Sequence, residues 1–362
     1  MPTLSLLNRI QDAMAAARID LLALPPGDDL RYVTGFSPTA DERACYLFVA
    51  SDRAVFVVPE LNAVQAEGYI RHPFLTYTDA AGPADAVAAA RDELGSRRRV
   101  APGDTMRADA LLLLQRIWPE AEYVPASTVL APLRMRKSAE EIAALAKAAS
   151  TADTAVEAGW AALRAGATEF DVAKAADEAF RRAGAAESTF TTVASGPNSA
   201  FPHHHTSTRA AAAGEPVLFD FGSRLDGYWS DITRMAFLGP PSRLYRIVHG
   251  VVEDAVSAAL EAIRPGVPIG DVDRAARGVI ERAGYGMHFT HRTGHGIGLS
   301  GHEPPSITHT NEQLLEPGMT FSVEPGIYLP GEFGVRLEEI VIVTDDGARV
   351  LSVLPREVHV IE

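Results

Sequence analysis

The sequence predicts a small α/β domain followed by a larger α+β domain. The chain has 362 residues, which is long for one core and fits two comfortably. In the first third of the chain, helical and extended patterns alternate, as they do in α/β folds. Further along, pairs of long helical patterns are separated by groups of strand patterns, as in α+β folds. We place the boundary near residue 130, so the predicted domains are residues 1–130 and 131–362.

The first domain begins with apolar residues at helical spacing, followed by IDLLALPP, which is typical of a buried strand ended by two prolines. A helix over residues 109–118 is predicted to precede a last strand, AEYVPAS. Further strands are predicted near residues 44–50, 54–59 and 99–101.

The second domain opens on a long helix whose start is marked by Ser138 and Glu141. This spacing is that of a capping box, in which each side chain accepts a hydrogen bond from the other residue's backbone N–H. The helical pattern predicts helices over about 139–165, 169–183, 242–263 and 269–283. Strand patterns fill the remaining segments, so we expect these helices to pack behind an antiparallel sheet.

Composition and charge exclude several classes of protein. Hydrophobic residues make up 47% and charged residues 22% of the chain, which is typical of a globular protein. No apolar stretch approaches the roughly 20 residues of a membrane span, so we expect no membrane partner. The net charge of −14 argues against a nucleic-acid partner, although it is compatible with simple solubility or with carboxylates that bind a cation.

The N-terminus and the cysteine content indicate a cytoplasmic protein. The first residues carry Arg9 and Asp12 within an amphipathic pattern, which predicts a helix and not a secretory signal. The single cysteine, Cys45, excludes an internal disulfide and is consistent with a reducing compartment.

A first group of chemically informative residues lies in VLFDFGSRLDGYWSDITRMAFLG. The pattern predicts a β-hairpin with a turn at Asp226–Gly227, and Asp220 and Asp231 lie on opposite arms at similar distances from that turn. Cross-strand neighbours have Cβ atoms about 4.5–5.5 Å apart. Two carboxylates this close among apolar residues repel each other unless a proton or a cation lies between them. The alternative is a turn residue and an exposed strand charge.

A second group lies in HFTHRTGHGIGLSGHEPP, where histidines alternate with glycines. Glycine lets the backbone approach a ligand closely, and neutral imidazole is a common metal ligand. A dinucleotide loop is not indicated, since no strand–turn–helix with a trailing acid surrounds the glycines. A flexible surface loop is the alternative. The histidines of this segment are His288, His291, His295 and His302.

A third group lies on two apolar strand patterns, MTFSVEPGIYLPG and FGVRLEEIVIVTDDG. Each carries a carboxylate where burial is predicted, Glu324 on the first and Glu338 on the second, and carboxylates are rarely buried unless paired or bound to metal. Arg336 offers a salt bridge, which fits Glu339, the side chain expected to point away from Glu338. One arginine does not account for both Glu324 and Glu338.

These groups together supply four carboxylates and one imidazole. Such an oxygen-rich set suits Mn²⁺, Co²⁺ or Zn²⁺. Five side chains with bridging carboxylates fit two ions about 3.5–4 Å apart better than one ion. The candidate metal ligands are Asp220, Asp231, His295, Glu324 and Glu338.

At these residues the sequence resembles the proline-specific members of the methionine aminopeptidase, aminopeptidase P and prolidase superfamily, and within it the short bacterial Xaa-Pro dipeptidases. The elements DFG…GYWSDITR, GHGIGL, HEPP, SVEPGIY and GVRLEE occur in the family's order. The resemblance is close from about Leu133 to the C-terminus. It implies a pita-bread catalytic domain after a creatinase-type N-terminal domain, two divalent ions with Mn²⁺ foremost, and a homodimer.

The resemblance also implies roles for individual residues. The five candidate ligands match the family's metal ligands, and Glu324 is in addition the candidate to pass a proton to the leaving imide nitrogen. Three histidines match substrate-facing positions, from which His291 and His302 are expected to stabilise the carbonyl or the tetrahedral oxyanion. His204 and His205 have no such match and are expected to be ordinary loop residues. The matched histidines are His203, His291 and His302.

The implied activity is that of an Xaa-Pro dipeptidase, or prolidase, which hydrolyses the imide bond before a proline with a hydroxide activated by two metal ions. Phe201 and Tyr328 are expected to wall the pocket for the proline ring, with ordinary packing as the alternative. Arg336 and Arg43 are candidates to clamp the free carboxylate of a dipeptide, while Arg43 also fits a plain surface charge.

Several rival functions stay open at this point. The main alternative is an aminopeptidase P, which removes the N-terminal residue from longer Xaa-Pro peptides. A methionine aminopeptidase is disfavoured because it lacks an N-terminal domain of this type. A metal-free amidinohydrolase such as creatinase, or a silent binding protein with the same fold, is expected to have lost ligands, and all five are present here.

Overall fold

The computed structural model describes residues 4–70, 72–185 and 189–362. The chain divides into two compact units, and the division falls between Arg134 and Met135. The sequence had placed the domain boundary near residue 130.

The first unit is an α/β domain around one mixed sheet with the strand order β4-β3-β2-β1-β5-β6. Strands β1, β2 and β3 pair antiparallel, and the outer pairs are parallel. The elements are α1 (Leu4–Ala17), β1 (Leu21–Leu24), α2 (Asp28–Thr34), β2 (Tyr46–Ala50), β3 (Ala54–Pro59), α3 (Glu60–Glu67), β4 (Phe74–Tyr77), α4 (Ala84–Leu94), β5 (Arg99–Pro102), α5 (Ala108–Ile117), β6 (Glu122–Tyr123) and α6 (Ser127–Met135), which ends at the division.

Both faces of this sheet are buried, because its central strands are apolar on both sides. Leu22 and Val49 belong to the core on one face, and Leu21 and Phe48 to the core on the other. Continuous apolar strands of this kind need helices on each side. The predicted strands are found in place, although AEYVPAS contributes only two residues, Glu122–Tyr123, to the sheet.

The second unit has two main sheets and a short hairpin backed by four long helices. Its elements are α7 (Ala139–Ala162), α8 (Glu169–Arg182), β7 (Thr189–Ser195), a 3₁₀ turn (Gly196–Ala200), β8 (Pro216–Leu225), β9 (Tyr228–Trp229), β10 (Ile232–Leu238), α9 (Arg243–Ala262), α10 (Ile269–Arg282), a 3₁₀ turn (Gly286–His288), β11 (Gly294–Gly296), β12 (Glu303–Ile307), β13 (Thr320–Val323), β14 (Gly326–Leu329), β15 (Phe333–Arg336), β16 (Glu339–Val343), β17 (Ala348–Val350) and β18 (His359–Ile361).

The strand order is β18-β10-β8-β7 in one sheet, with β9 paired to β8, and β12-β11-β13-β16-β17 in the other. Strands β14 and β15 form the separate hairpin. The expected antiparallel pairing holds throughout these sheets except for β18, which runs parallel to β10. The predicted α+β architecture of this unit is therefore confirmed.

Side-chain caps and apolar faces fix the helices where the sequence predicts them. The predicted capping box at Ser138 and Glu141 is present at the start of α7. Helices α7 and α8 share a core with β8, and α9 and α10 share another with β13 and β16. Helix α7 lies very close to β8, since a Cβ added at Gly159 would be 3.0 Å from the ring of Phe219.

Within the residues that the structure describes, no helix has the length and apolar character needed to cross a membrane.

Candidate metal centre

The second unit contains a cavity of about 630 Å³ lined by side chains from both of its main sheets. The predicted ligands, the predicted substrate-facing histidines and Arg336 all line it. Residues far apart in the sequence therefore converge on one site. The cavity-lining residues of these three classes are Asp220, Asp231, His295, Glu324, Glu338, His203, His291, His302 and Arg336.

Asp220 and Asp231 come from the hairpin formed by β8 and β10. Asp220 is paired with Thr233, and Asp231 lies two residues before Thr233. The two aspartates are therefore not directly opposite each other, because the pairing is symmetric about the turn at Asp226–Gly227 and Asp220 lies two residues further from that turn than Asp231. A shift of two residues keeps a side chain on the same face, so the aspartates are diagonal neighbours that still converge. Carboxylate oxygens of Asp220, Asp231 and Glu338 lie within 4.8 Å of one another.

His295 lies on the short strand β11, which is wedged between β12 and β13. The glycines on either side of it are needed for strand packing. A Cβ at Gly294 would lie 1.8 Å from the carbonyl oxygen of Ser322, and one at Gly296 would lie 2.2 Å from that of Pro304. The sequence had attributed these glycines to close approach of a ligand, whereas the structure shows close approach of neighbouring strands.

The imidazole of His295 presents a lone pair to carboxylates. Its Nδ1 lies 3.0 Å from the carbonyl oxygen of Gly296, which can only accept, so Nδ1 carries the proton of the neutral ring. Nε2 then faces Glu324 Oε1 at 3.3 Å and Asp231 Oδ2 at 3.8 Å. Burial and the neighbouring His302 lower the pKa of His295 to about 3, so the ring is neutral near pH 7. Two kinds of acceptor facing each other are unfavourable unless a proton or a cation lies between them.

The carboxylates of the cavity are short of compensating positive charge. Burial and the neighbouring acids raise the pKa values of Asp231 and Glu338 well above their ordinary range. Burial, together with Asp220, raises the pKa of Glu324 to about 7 despite the nearby Arg336. A set of acids that burial would leave partly protonated is well suited to divalent cations.

Two donor groups in the cavity overlap at one residue. The first consists of His295, Glu324 and Glu338, and the second of Asp220, Asp231 and Glu338. A carboxylate shared by two groups is a natural bridge between two cations. His302 forms a third group with Asp231 and His295, so its imidazole also lies within reach of a bound ion.

We expect the metal-free protein to lose stability as the pH rises. The carboxyl of Glu324 has a pKa of about 7 in the folded chain and an ordinary value of 4.5, so the folded state binds more protons between these values. Folding stability therefore falls as pH increases through this window, by a few kcal/mol in order of magnitude. Thermal unfolding of metal-free protein between pH 6.5 and 8 measures the effect, because below this range the lowered pKa values of His291 and His295 make stability rise with pH. Manganese should abolish the fall, and a pH-independent melting temperature without metal would contradict the prediction.

Arg336 is committed to the protein in this structure. Its Nη2 donates to Asp220 Oδ2 at 2.7 Å, and its Nε donates to Thr233 Oγ1 at 3.0 Å. Its Nη1 donates to Tyr328 Oη at 3.0 Å and to the carbonyl oxygen of Pro202 at 3.2 Å. The side chain is 4% exposed. The geometry therefore favours Arg336 as the residue that orients a metal-centre carboxylate over its predicted role as a clamp for substrate.

The predicted salt bridge between Arg336 and Glu339 is also wrong. Glu339 accepts a hydrogen bond from Arg234 Nη2 at 2.8 Å. Glu338 points the other way, as expected, and its Oε2 accepts from Thr233 Oγ1 at 2.8 Å. The burial of Glu338 is as predicted and Glu339 is buried as well, but their partners come from strands that the local pattern does not specify.

His291, which lines the cavity, and Tyr328, which lies behind the lining, extend this network. Tyr328 Oη, which accepts from Arg336, donates to His291 Nε2 at 2.9 Å. His291 Nδ1 donates to the carbonyl oxygen of Arg292 at 2.7 Å, since a carbonyl can only accept. Burial and Arg336 lower the pKa of His291 to about 4. Both nitrogens of its neutral ring are thus engaged, which disfavours the predicted role of His291 as a donor to the substrate.

The predicted aromatic wall is replaced by other aromatic residues. Tyr328 is 5% exposed and lies behind the lining, and Phe201 is 61% exposed and does not line the cavity. Phe190 and Trp229 line it instead, with their ring centroids 6.2 Å apart. Their place in the site was not predicted, since Phe190 lies outside the quoted motifs and in GYWSDITR only Asp231 was a candidate, not Trp229.

Arg292 also lines the cavity and was not predicted, although it lies inside the HRTGHG motif. Its side chain makes only long contacts, 3.3 Å from Nη1 to Ser306 Oγ and 3.4 Å from Nη2 to His302 Nδ1. The other predicted clamp, Arg43, belongs to the first unit. There it forms hydrogen bonds of 2.8 and 2.9 Å with both carboxylate oxygens of Asp79. Its contact with a substrate stays a prediction.

Several named proteins are similar to this chain over nearly its whole length. The Xaa-Pro dipeptidase of Lactobacillus helveticus is 34% identical over 365 residues, covering 98% of both chains. A putative dipeptidase of Bacillus subtilis, YkvY, is 37% identical over 340 residues, covering 92% of this chain and 93% of its own. The crystal structure of recombinant prolidase from Thermococcus sibiricus superposes with a TM-score of 0.95 at 32% identity and covers 100% of both chains.

Family models match both parts of the chain. The model of the creatinase/prolidase N-terminal domain matches residues 7–136. The model of metallopeptidase family M24 matches residues 143–345, which include all five candidate ligands. The donor set of the cavity fits the divalent ions that a metallopeptidase uses. The chain belongs to metallopeptidase family M24 and carries a creatinase/prolidase N-terminal domain before its catalytic domain.

Proposed function

We propose that this protein is an Xaa-Pro dipeptidase, or prolidase, that hydrolyses the bond before proline in dipeptides. The proposal rests on the two groups of candidate metal ligands inside the cavity of about 630 Å³, which have Glu338 in common. Cavities of about 300–1,000 Å³ are typical of small-molecule sites, and a dipeptide is a ligand of that size. Curated relatives of similar length named Xaa-Pro dipeptidase support the same activity.

Two divalent ions, with Mn²⁺ foremost and Co²⁺ or Zn²⁺ as alternatives, are proposed to bind to the five candidate ligands. Bound there, such ions polarise a carbonyl and lower the pKa of water, which is the chemistry that metallohydrolases draw from them. Arg336 and Thr233 orient Asp220 and Glu338 through hydrogen bonds of 2.7 and 2.8 Å. This support holds the carboxylates in place before substrate arrives.

Glu324 is proposed to carry the proton from the attacking water to the imide nitrogen. The neighbouring Ser322 Oγ donates to its Oε1 at 3.0 Å and fixes the carboxyl at the cavity wall. A positioned carboxylate is a common general acid–base group in hydrolases.

His302 and His203 are the proposed donors to the substrate carbonyl. Arg292 donates to His302 Nδ1, so the neutral ring of His302 carries its proton on Nε2. Burial lowers the pKa of His302 and favours this neutral form. His203 lines the same cavity with an exposed side chain. A neutral N–H donor stabilises a developing oxyanion without first losing a proton of its own.

The geometry favours Arg292 for the free carboxylate of a dipeptide. Among the described residues, the Arg292 guanidinium makes only contacts of 3.3 and 3.4 Å, whereas that of Arg336 makes four hydrogen bonds of 2.7–3.2 Å. A planar guanidinium binds a carboxylate bidentately. Arg43 remains a second candidate on the grounds of sequence alone.

We expect Ala-Pro to be hydrolysed with a kcat/KM at least about tenfold higher than that of Ala-Pro-Ala, since loss of a bidentate ion pair costs well over 1 kcal/mol. Met-Ala serves as the substrate without proline. Arg292→Met should reduce the preference for Ala-Pro, while Arg274→Met, on the exposed surface of α10, should not. Faster hydrolysis of Ala-Pro-Ala by the wild-type protein would instead support the alternative function, aminopeptidase P.

A homodimer and a cytoplasmic location complete the proposal. The homodimer follows from the resemblance to the family, and the cytoplasmic location from the single cysteine. Light scattering coupled to size-exclusion chromatography gives the mass in solution, to be compared with 38.7 kDa for one chain.

A further inference from the structure

A buried carboxylate outside the metal centre anchors a long surface segment. Glu169 lies in the first turn of α8 and is 1% exposed. Its Oε1 accepts hydrogen bonds from the backbone N–H and hydroxyl of Ser195 and from Asn198 Nδ2, and its Oε2 accepts from the N–H and hydroxyl of Ser207 and from His204 Nε2. All six donor–acceptor distances are between 2.7 and 2.9 Å.

These donors keep the carboxylate ionised despite its burial. Burial alone would raise the pKa of Glu169, but the hydrogen bonds from Ser195, Ser207 and His204 outweigh it and lower the pKa to about 2. The N-terminus of α8 adds a favourable partial positive charge. Because a carboxylate only accepts, His204 donates from Nε2. His204 lies in a loop, as predicted, but the structure gives it a specific partner that the sequence did not indicate.

The anchored segment carries a part of the cavity wall. Pro202 and His203 line the cavity, and they lie between the two anchored ends at Ser195 and Ser207. The carbonyl oxygen of Pro202 also accepts from Arg336. Glu169 does not line the cavity itself. Its six hydrogen bonds therefore act on the site only through the segment 195–207.

We propose that Glu169 is a positioning residue that holds the segment 195–207 so that His203 is presented to the substrate. Its value for catalysis rests on the proposed function, because His203 is a proposed donor to the substrate carbonyl. A side chain in an exposed loop has many conformations, and fixing both ends of the loop reduces the entropy lost when the substrate binds.

Amide hydrogen exchange tests the anchoring without reference to activity. In Glu169→Gln, the carboxamide nitrogen is itself a donor and cannot accept the bonds made to one of the two oxygens. We expect the backbone amides of Ser195 and Ser207 to exchange at least about tenfold faster in this variant. Asp171→Asn is the matched control. Asp171 lies in the same helical turn as Glu169, but its carboxylate accepts from the backbone N–H of Thr168 and does not contact the segment 195–207. Unchanged exchange in Glu169→Gln would overturn the inference.

A double-mutant cycle with metal-reconstituted protein and Ala-Pro tests the positioning role. We expect Glu169→Gln to lower kcat/KM by about 10–100-fold in the wild-type background, and by less than about threefold in a His203→Ala background. Equal losses in the two backgrounds would show that Glu169 acts on general structure, which would overturn the inference. Asp171→Asn should change neither value.

A milder variant keeps the inference testable if Glu169→Gln fails to fold. Ser207→Ala removes one hydroxyl donor and leaves the carboxylate in place. We expect faster amide exchange at residues 195 and 207 in this variant. We also expect a loss of kcat/KM that is again smaller in the His203→Ala background. The absence of both effects overturns the inference. A wild-type protein inactive on Ala-Pro would refute the proposed function, whereas the exchange measurement would still decide whether Glu169 anchors the segment.

Discussion

We expect Glu324→Gln to abolish turnover of Xaa-Pro dipeptides while the protein stays folded. Glutamine keeps the volume of the side chain but neither bridges to a cation as a carboxylate does nor takes up a proton at neutral pH. Loss of a general acid–base group alone lowers kcat by about 10²–10⁴-fold, and loss of a ligand adds to this. The measurement is kcat on Ala-Pro after reconstitution with Mn²⁺, together with the melting temperature.

The matched control is Glu332→Gln, an exposed glutamate in the turn between β14 and β15. It changes the net charge by the same amount and should leave kcat unchanged. A wild-type kcat in Glu324→Gln would end the assignment of Glu324 as the proton carrier. A low kcat accompanied by a collapsed melting temperature would point to a structural role instead.

Removal of metal is expected to have an effect of similar size. Dialysis against a chelator should reduce activity to below about 1%, because the water and the scissile carbonyl then lose their activation. Addition of Mn²⁺ should restore activity, and elemental analysis should find two ions per chain at full activity. His295→Ala should lower the affinity for metal, since its Nε2 is the nitrogen donor among the candidate ligands.

The same experiment distinguishes a metallopeptidase from the rival functions that the sequence left open. Activity that survives complete removal of metal would contradict the metallopeptidase mechanism and favour a metal-free amidinohydrolase. One ion per chain at full activity would contradict the proposed sharing of Glu338 between two donor groups. Parallel reconstitution with Co²⁺ and Zn²⁺ shows which ion gives the highest kcat, a question that the donor set leaves to metal availability.

Much of the architecture follows from local signals in the sequence. The capping box at Ser138 and Glu141 marks the start of α7, and the periodic apolar patterns give the remaining long helices of the second unit nearly to their ends. These signals work because capping and side-chain periodicity involve residues only a few positions apart. The burial of Glu338 and the partial burial of Glu324 are predictable for a similar reason, since each lies within an apolar stretch of the sequence.

The partners of the buried charges are not predictable in the same way. The pattern offers Arg336 as a salt-bridge partner for Glu339, but Arg336 pairs with Asp220 instead. Glu169 appears in the sequence as an ordinary residue in the first turn of a helix. Its six donors come from a segment that starts 26 positions later in the chain, and no local pattern specifies that contact.

The sequence by itself determined the element order, the burial of unusual carboxylates and, through motif order, the family. Only the tertiary structure decided which acids converge, which nitrogen of each histidine is free, and which arginine is committed to the protein. The physical reason is that periodicity and capping report interactions between near neighbours in the chain. The pairing of buried charges depends on strand register and on the approach of distant strands, where a shift of two residues exchanges one partner for another.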